Sequence, residues 1–206
     1  MQNSNVIKIE NMYKKFKEKM VLNNINLDLK KGGIYGFIGH NGSGKTMLFR
    51  IICGLVFPSE GTVAIKENTE IGAIIENPGF LLEYSGLKNL ELIATIKSKV
   101  TKEEIIKTME RVGLDPSNKA PVKTYSLGMK QKLALAQSLM ESPSLLVLDE
   151  PTNGLDKDSA NLIRNVLLEE KLAGKTILLT SHNNEDVNLL CDEVYELNNG
   201  KIEKIK

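Results

Sequence analysis

Apolar and polar residues alternate in two stretches near the start of the chain, at 6–10 and 25–29. Because successive side chains of a strand point to opposite faces, this two-residue period predicts two half-buried β-strands. Other stretches are more continuously apolar or more weakly patterned, and they predict further short strands. These lie at 33–38, 62–65, 71–75, 145–149 and 176–180, with a terminal β-hairpin at 194–205.

Helical spacing of apolar residues occurs between these strands. The stretches concerned are 45–53, 129–141, 157–172 and 184–191. Strands that alternate with helices usually pair in parallel, with the helices covering the sheet. We therefore predict an α/β fold with a mostly parallel sheet and an N-terminal antiparallel β portion.

The pattern changes between residues 77 and 125. Helical spacing appears at 87–97 and again at 101–112, where Thr101 and Glu104 have the spacing of a capping box. We expect 77–125 to form a helical subdomain inserted into a single domain that spans 1–206. The remainder, 1–76 and 126–206, would form the core.

Composition narrows the function classes. The chain has 206 residues, with 27 Lys and Arg against 26 Asp and Glu, a formal net charge of +1. A nucleic-acid binder usually has a basic excess, so we expect no nucleic-acid partner. The cluster Lys14, Lys15, Lys17 and Lys19 is then a solvated face, with a nucleic-acid site as the alternative. No apolar run approaches the ~18 residues of a membrane-spanning helix.

A glycine-rich turn follows the strand at 33–38. Residues 39–46 match G-x-x-x-x-G-K-[ST] between a predicted strand and a predicted helix, which is the pattern of a phosphate-binding loop. Backbone N–H groups and the helix N-terminus attract phosphate, Lys45 neutralises its charge, and the Thr46 hydroxyl can bind Mg²⁺. The predicted nucleotide-binding residues here are Asn41, Gly42, Ser43, Gly44, Lys45 and Thr46.

Two acids end the apolar strand at 145–149. Asp149 lies where a carboxylate would hold Mg²⁺, and Glu150 could act as general base toward the attacking water. Strands often end in acids, so this pair gains its meaning from the phosphate loop that precedes it.

Three further motifs complete an ordered set. Residues 125–131 read Tyr-Ser-Leu-Gly-Met-Lys-Gln, the acids are followed by Pro-Thr-Asn-Gly-Leu-Asp at 151–156, and His182 follows the strand at 176–180. With the phosphate loop, this order resembles the ATP-binding subunit of an ABC transporter over nearly the whole chain. The residues at 71–80 and 123–131 are similar to those of ABC-2-type ATPases of bacitracin and lantibiotic exporters.

The resemblance implies roles for the matching positions. Phe16, with Tyr13 as the alternative, matches the aromatic residue that stacks on adenine. Ser126 and Gly128 match the signature motif, which contacts the ATP held by a second subunit. His182 matches the switch histidine, although it could be an ordinary residue at a strand end.

Two departures from the family pattern stand out. Glu76 occupies the position where the family usually has glutamine, so it could ligate Mg²⁺ and serve catalysis, or be a solvated loop acid. Leu127 and Met129 replace the usual Gly and Gln of the signature, while Ser126 and Gly128 are kept.

The resemblance also implies partners and location. It implies an ATPase with ATP and Mg²⁺ as cofactors, a second ATP-binding domain (another copy or a close relative), and a transmembrane permease. The chain would lie at the cytoplasmic face of the membrane and energise export of a peptide antibiotic or similar compound. The alternative is an ABC-type ATPase without a membrane partner, in assembly or regulation. A nucleotide-binding kinase would leave the signature and His182 unexplained.

Overall fold

Nine strands and six α-helices occur in the residues described by the computed structural model, which are 5–76, 79–97 and 100–206. The strands are β1 (Asn5–Phe16), β2 (Lys19–Lys30), β3 (Ile34–Ile38), β4 (Glu60–Ile65), β5 (Ile71–Ile74), β6 (Leu145–Leu148), β7 (Thr176–Thr180), β8 (Glu193–Asn198) and β9 (Lys201–Lys204). The helices are α1 (Lys45–Ile52), α2 (Gly86–Lys97), α3 (Lys102–Arg111), α4 (Leu127–Leu139), α5 (Lys157–Leu172) and α6 (Asn184–Leu190), with a 3₁₀ turn at Val122–Thr124.

The strands form two sheets. An antiparallel sheet has the order β2-β1-β4, and a six-stranded sheet has the order β5-β6-β7-β3-β8-β9. Every pair of the larger sheet is parallel except the terminal hairpin β8–β9. The predicted α/β fold, mostly parallel sheet and N-terminal antiparallel portion are confirmed.

Strand order places the functional loops. β7 lies between β3 and β6, so the carboxyl ends of these three parallel strands are adjacent at one edge of the sheet. Ligands of open α/β sheets bind at this edge. The segments that leave the three strands begin at Gly39, Asp149 and Ser181, and they meet there.

The large sheet has an apolar cluster on each face. Along β6, Leu146 and Leu148 join the cluster shared with α2–α5, whereas Leu145 and Val147 join the cluster under α1 and the antiparallel sheet. All four side chains are fully buried. A continuous apolar run is therefore required, because both faces of the strand are covered.

The stretch predicted as a helical insert contains α2, α3 and the 3₁₀ turn. The capping box is present: the Thr101 hydroxyl accepts a hydrogen bond from the Glu104 N–H at 3.3 Å, and the Glu104 carboxylate accepts one from the Thr101 N–H at 2.8 Å. Asn77 and Pro78, where the insert was expected to begin, lie outside the described residues.

The start of α4 differs from the prediction. The periodicity placed it at Met129, with Ser126 and Gly128 ahead of the helix, but α4 begins at Leu127. Ser126 is the N-cap, and its hydroxyl accepts a hydrogen bond from the Met129 N–H at 3.2 Å. Gly128 therefore lies in the first turn, because a capping serine outweighs the poor helix propensity of glycine.

In the part of the chain that the structure describes, no helix is both long and apolar enough to span a bilayer.

Candidate functional site

The phosphate loop runs from the end of β3 into α1. Its backbone demands glycine at both ends: Gly39 has φ 145° and a Cβ there would lie 2.2 Å from the Leu197 carbonyl oxygen, while Gly44 has φ 112°. Gly44 is also the N-cap of α1, and it supplies no side-chain cap. The first N–H groups of α1 are thus available to an anion.

Lys45 spans the loop. Its ammonium donates hydrogen bonds to the carbonyl oxygens of Gly39 at 2.7 Å and His40 at 3.2 Å. Burial lowers the pKa of Lys45, and the negative charges of Glu150 and Asp149 act in the opposite direction. The result is a preorganised positive charge beside the first turn of α1.

Two hydroxyls hold the Asp149 carboxylate. Thr46 donates to one oxygen at 2.7 Å, and Thr180 at the end of β7 donates to the other at 2.6 Å. The Thr180 hydroxyl also accepts a hydrogen bond from the Glu150 N–H at 2.9 Å. Sequence reasoning missed Thr180; its signal was a polar residue that ends an apolar strand.

Glu150 faces His182. The His182 N–H donates to Oε2 of Glu150 at 3.3 Å, and the ring Nε2 lies 3.3 Å from Oε1. That last contact lacks hydrogen-bond geometry, so Oε1 is a buried acceptor with no hydrogen-bond donor among the described residues. Burial raises the pKa of Glu150, while the neighbouring His182 works against that rise. A carboxylate with an unused acceptor can take a proton from water.

One cavity brings most of the predicted residues together. Its lining includes the loop residues Asn41, Gly42, Gly44, Lys45 and Thr46, and also Glu76, Asp149, Glu150 and His182. Ser43 is buried in the loop with a hydroxyl that has no hydrogen-bond partner in the described chain. Orphaned polar atoms at a loop rich in backbone donors are the property of a site built for a polar ligand.

Glu76 is exposed but forms an ion pair. Its carboxylate lies 2.6 Å from the Arg50 guanidinium, in a left-handed backbone conformation with φ 62°. Arg50 was not among the predicted residues. Its signal was the spacing: Arg50 follows Thr46 by one helical turn on α1, and both line the cavity.

Besides the buried Ser43, three predicted residues do not line this cavity. Phe16 lies half-exposed at the end of β1, with the Lys14 ammonium 4.8 Å from the centre of its ring. Ser126 and Gly128 lie at the start of α4, away from the phosphate loop. Gln131 of the same helix does contact the site, since its side-chain amide donates to the Glu150 carbonyl oxygen at 3.0 Å.

The donor set suits Mg²⁺. Within residues 5–76, 79–97 and 100–206, no three His, Cys, Asp or Glu side chains lie close enough together to hold a metal. A hydroxyl and a carboxylate are in contact, however, at Thr46 and Asp149. Mg²⁺ prefers oxygen ligands and often takes only one or two from protein, with the rest from phosphate and water.

Comparison with known proteins agrees with this geometry. The family model described as ABC transporter matches residues 22–153, more than half of the chain. The chain is 42% identical to the uncharacterized ABC transporter ATP-binding protein YybJ of Bacillus subtilis, over 96% of this chain and 95% of that protein. It is 39% identical to the bacitracin transport ATP-binding protein BcrA of Enterococcus faecalis, over 96% and 68%. It is 37% identical to the lantibiotic transport ATP-binding protein SrtF of Streptococcus pyogenes, over 96% and 89%.

Solved structures with a similar fold are also ATP-binding cassettes. The dimeric ATP-binding cassette MJ0796, solved in a post-hydrolysis state with ADP and Pi, superposes with a TM-score of 0.87. At 23% identity, over 97% of this chain and 99% of that one, it shows the fold alone. The family model and the relatives lead to one conclusion: the chain belongs to the ABC transporter family, as an ATP-binding subunit with ATPase activity.

Proposed function

We propose that this ATPase powers the export of a peptide antibiotic or a similar compound through a separate transmembrane permease. The observation that carries the catalytic part is the unpartnered Oε1 of Glu150 beside the Thr46–Asp149 pair. The export part is supported by the bacitracin and lantibiotic transport proteins among its relatives.

In this proposal the loop binds the ATP phosphates. Backbone N–H groups at Gly42 and Gly44 and the N-terminus of α1 attract the anion, and the Lys45 ammonium exchanges its carbonyl partners for phosphate oxygens. Asn41 and Ser43 complete the loop. Phe16 remains the candidate for adenine stacking, since an exposed aromatic face suits a base.

Thr46 and Asp149 are the proposed Mg²⁺ ligands. Bound there, the ion would neutralise the charge that develops on the phosphate oxygens during transfer. Glu76 is a further candidate, and Arg50 holds its carboxylate at the cavity wall.

Glu150 is the proposed general base. Its Oε1 would accept a proton as the water oxygen attacks the γ-phosphorus and the bond to the β-phosphate oxygen breaks, giving ADP and phosphate. His182 lies across the same carboxylate, where it can orient the water or the γ-phosphate.

A second ATP-binding domain would complete each site. Ser126 and Gly128 stand at the N-terminus of α4, but they do not line the cavity of their own chain. A helix N-terminus with a hydroxyl cap attracts phosphate, so these residues would cover the ATP of a partner domain.

The permease is expected to contact residues 76–84, between the sheet and the proposed helical subdomain of 77–125. Leu81, Leu82 and Tyr84 are about half-exposed in this segment, and Gly79 is exposed. Asn77 and Pro78 lie outside the described residues. Docking through a permease would hold the chain at the cytoplasmic face of the membrane. An assembly or regulatory ATPase without a membrane partner is the alternative, and the transport relatives favour the first reading.

Two experiments test the proposal. ATP hydrolysis by the purified chain should fall at least about 100-fold in Glu150→Gln, while the control Glu169→Gln, an exposed glutamate on α5, should keep the wild-type rate. Wild-type hydrolysis in Glu150→Gln would contradict the catalytic assignment. Expression with an affinity tag in the source cell should co-purify an integral membrane protein; recovery of the chain from the soluble fraction without one would favour the alternative.

A further inference from the structure

A buried ion pair lies behind the Glu150–His182 contact. Asp186 on α6 and Arg164 on α5 are only 1% and 4% exposed, and the Arg164 Nε donates to Oδ1 of Asp186 at 2.6 Å. Neither residue lines the nucleotide cavity. Neither residue belongs to the site predicted from the sequence, and neither has a role in the hydrolysis proposed for Glu150 and His182.

The second oxygen of Asp186 joins the two catalytic segments. Its Oδ2 accepts hydrogen bonds from the Thr152 hydroxyl at 2.5 Å and from the Ser181 hydroxyl at 2.9 Å. Thr152 follows Glu150 by two residues, and Ser181 directly precedes His182. One carboxylate oxygen therefore ties the segment after β6 to the segment after β7.

The ion pair with Arg164 offsets the cost of burying the Asp186 carboxylate. A buried carboxylate is costly unless it is paired and hydrogen-bonded. Arg164 also contacts Glu185 at 2.9 Å and the Asn161 side chain at 2.8 Å, so each of its three guanidinium nitrogens has a partner. Both oxygens of Asp186 are used as well, which leaves the carboxylate free neither to bind substrate nor to move independently.

We infer that Asp186 is a positioning residue for ATP hydrolysis, which fixes the spacing between Glu150 and His182 through Thr152 and Ser181. The inference rests on the proposed roles of Glu150 and His182. It assigns no contact with ATP to Asp186. We call the hydrogen bonds from Thr152 and Ser181 to Asp186 the clamp. Losing the clamp should slow hydrolysis without weakening nucleotide binding, since a displacement of about 1 Å at a catalytic group can cost up to ~100-fold in rate.

The sharpest variants alter the hydroxyls and leave the buried charges paired. Thr152→Val removes one hydrogen bond and keeps the side-chain shape, while Thr152→Ser keeps the hydroxyl. We expect Thr152→Val to lower kcat for ATP by about tenfold with KM changed less than about twofold, and Thr152→Ser to restore most of kcat. Ser181→Ala should resemble Thr152→Val.

A matched control is available on α5. Glu170 is a similarly buried carboxylate, 4% exposed, that pairs with Arg111 and Lys175 near the C-terminal end of that helix. Glu170→Gln should lower the melting temperature while kcat per folded molecule stays at the wild-type value. Asp186→Asn provides a second test of the clamp, scored only on protein shown to be folded by circular dichroism.

The outcomes separate cleanly. Wild-type kcat in Thr152→Val and Ser181→Ala, or a loss that Thr152→Ser does not rescue, would overturn the positioning role. So would a fall in kcat of Glu170→Gln equal to that of Thr152→Val, because the effect would then be general destabilisation. If instead Glu150→Gln hydrolyses ATP at the wild-type rate, the proposed function itself has failed, whatever the Thr152 variants show.

Discussion

The Thr46 hydroxyl donates a 2.7 Å hydrogen bond to the Asp149 carboxylate, although the two residues are 103 positions apart in the chain. The bond joins the first turn of α1, which follows β3, to the segment that follows β6, and strand β7 lies between β3 and β6. Both oxygens are of the kind that Mg²⁺ prefers. The pair therefore places the two oxygens proposed to bind Mg²⁺ beside the phosphate loop.

Replacing Thr46 should separate metal-dependent from metal-independent nucleotide binding. Thr46→Val removes the hydroxyl from Asp149 and from the proposed Mg²⁺ site, while Lys45 and the loop backbone remain. We expect Thr46→Val to lose at least about tenfold in ATP affinity with Mg²⁺ present, and to change little in EDTA. Titration calorimetry in both buffers measures this, and Thr46→Ser should behave as wild type. An equal loss in both buffers would argue against Thr46 as a metal ligand.

Glu150→Gln should stabilise the fold while it abolishes hydrolysis. Because burial raises the pKa of Glu150 above its ordinary value of 4.5, the ionised carboxylate is disfavoured in the folded state. Wild-type stability is therefore lost as pH rises from 4.5 through the folded-state pKa. The melting temperature of Glu150→Gln should exceed that of wild type at pH 7.5, and the gap should narrow toward pH 4.5. A constant gap, or a lower value at pH 7.5, would contradict the burial effect; Glu169→Gln corrects for the loss of one negative charge.

The Arg50–Glu76 pair should matter for activity more than for stability. Both side chains are substantially exposed, at 34% and 58%, and exposed ion pairs contribute only about 0–1 kcal/mol. Glu76→Gln and Glu76→Ala should therefore unfold in urea with nearly wild-type free energies. If Glu76 takes part in catalysis or metal binding, both variants should hydrolyse ATP more slowly. Wild-type rates in both would leave Glu76 as a partner of Arg50 only.

Two glycines of the phosphate loop should respond differently to alanine. At Gly39 a Cβ would approach the Leu197 carbonyl oxygen to 2.2 Å, whereas at Gly42, with φ 80°, it would meet nothing within 4 Å. Gly42→Ala should cost about 1–2 kcal/mol of unfolding free energy from its left-handed backbone alone. Gly39→Ala should cost clearly more, because the strand β8 must also shift. Equal losses in urea denaturation would show that the close approach to Leu197 is relieved at no cost.

Periodicity predicted most of the fold because it is a local property. The buried strand β6, the capping box at Thr101 and the α/β alternation all follow from neighbouring residues. The start of α4 was misplaced because Gly128 in its first turn has a poor helix propensity, whereas the Ser126 cap decides the boundary.

The residues of the site that belong to contiguous motifs could be predicted from the sequence. Those brought together only by the order of strands in the sheet could not. The motifs from Gly39 to Thr46 and at Asp149–Glu150 can be identified directly from the sequence. Thr180 donates to Asp149 because β7 pairs with β6 in the sheet. The order of the strands along the chain does not specify which strands pair. Phe16, Ser126 and Gly128 lie outside the cavity of the single chain, so the chain's own geometry does not test the roles proposed for them.

The central proposal is that a second ATP-binding domain covers the bound ATP through Ser126 and Gly128, and another copy of this chain can serve as that domain. It is tested most directly by the molar mass of Glu150→Gln, measured by size-exclusion chromatography with light scattering at nucleotide concentrations that saturate binding. The account predicts twice the monomer mass with ATP, the monomer mass without nucleotide, and the monomer mass again when Gly128→Asp is added, since a carboxylate would repel the γ-phosphate. A Glu150→Gln protein that binds ATP and remains a monomer, or a dimer that Gly128→Asp leaves intact, would contradict it.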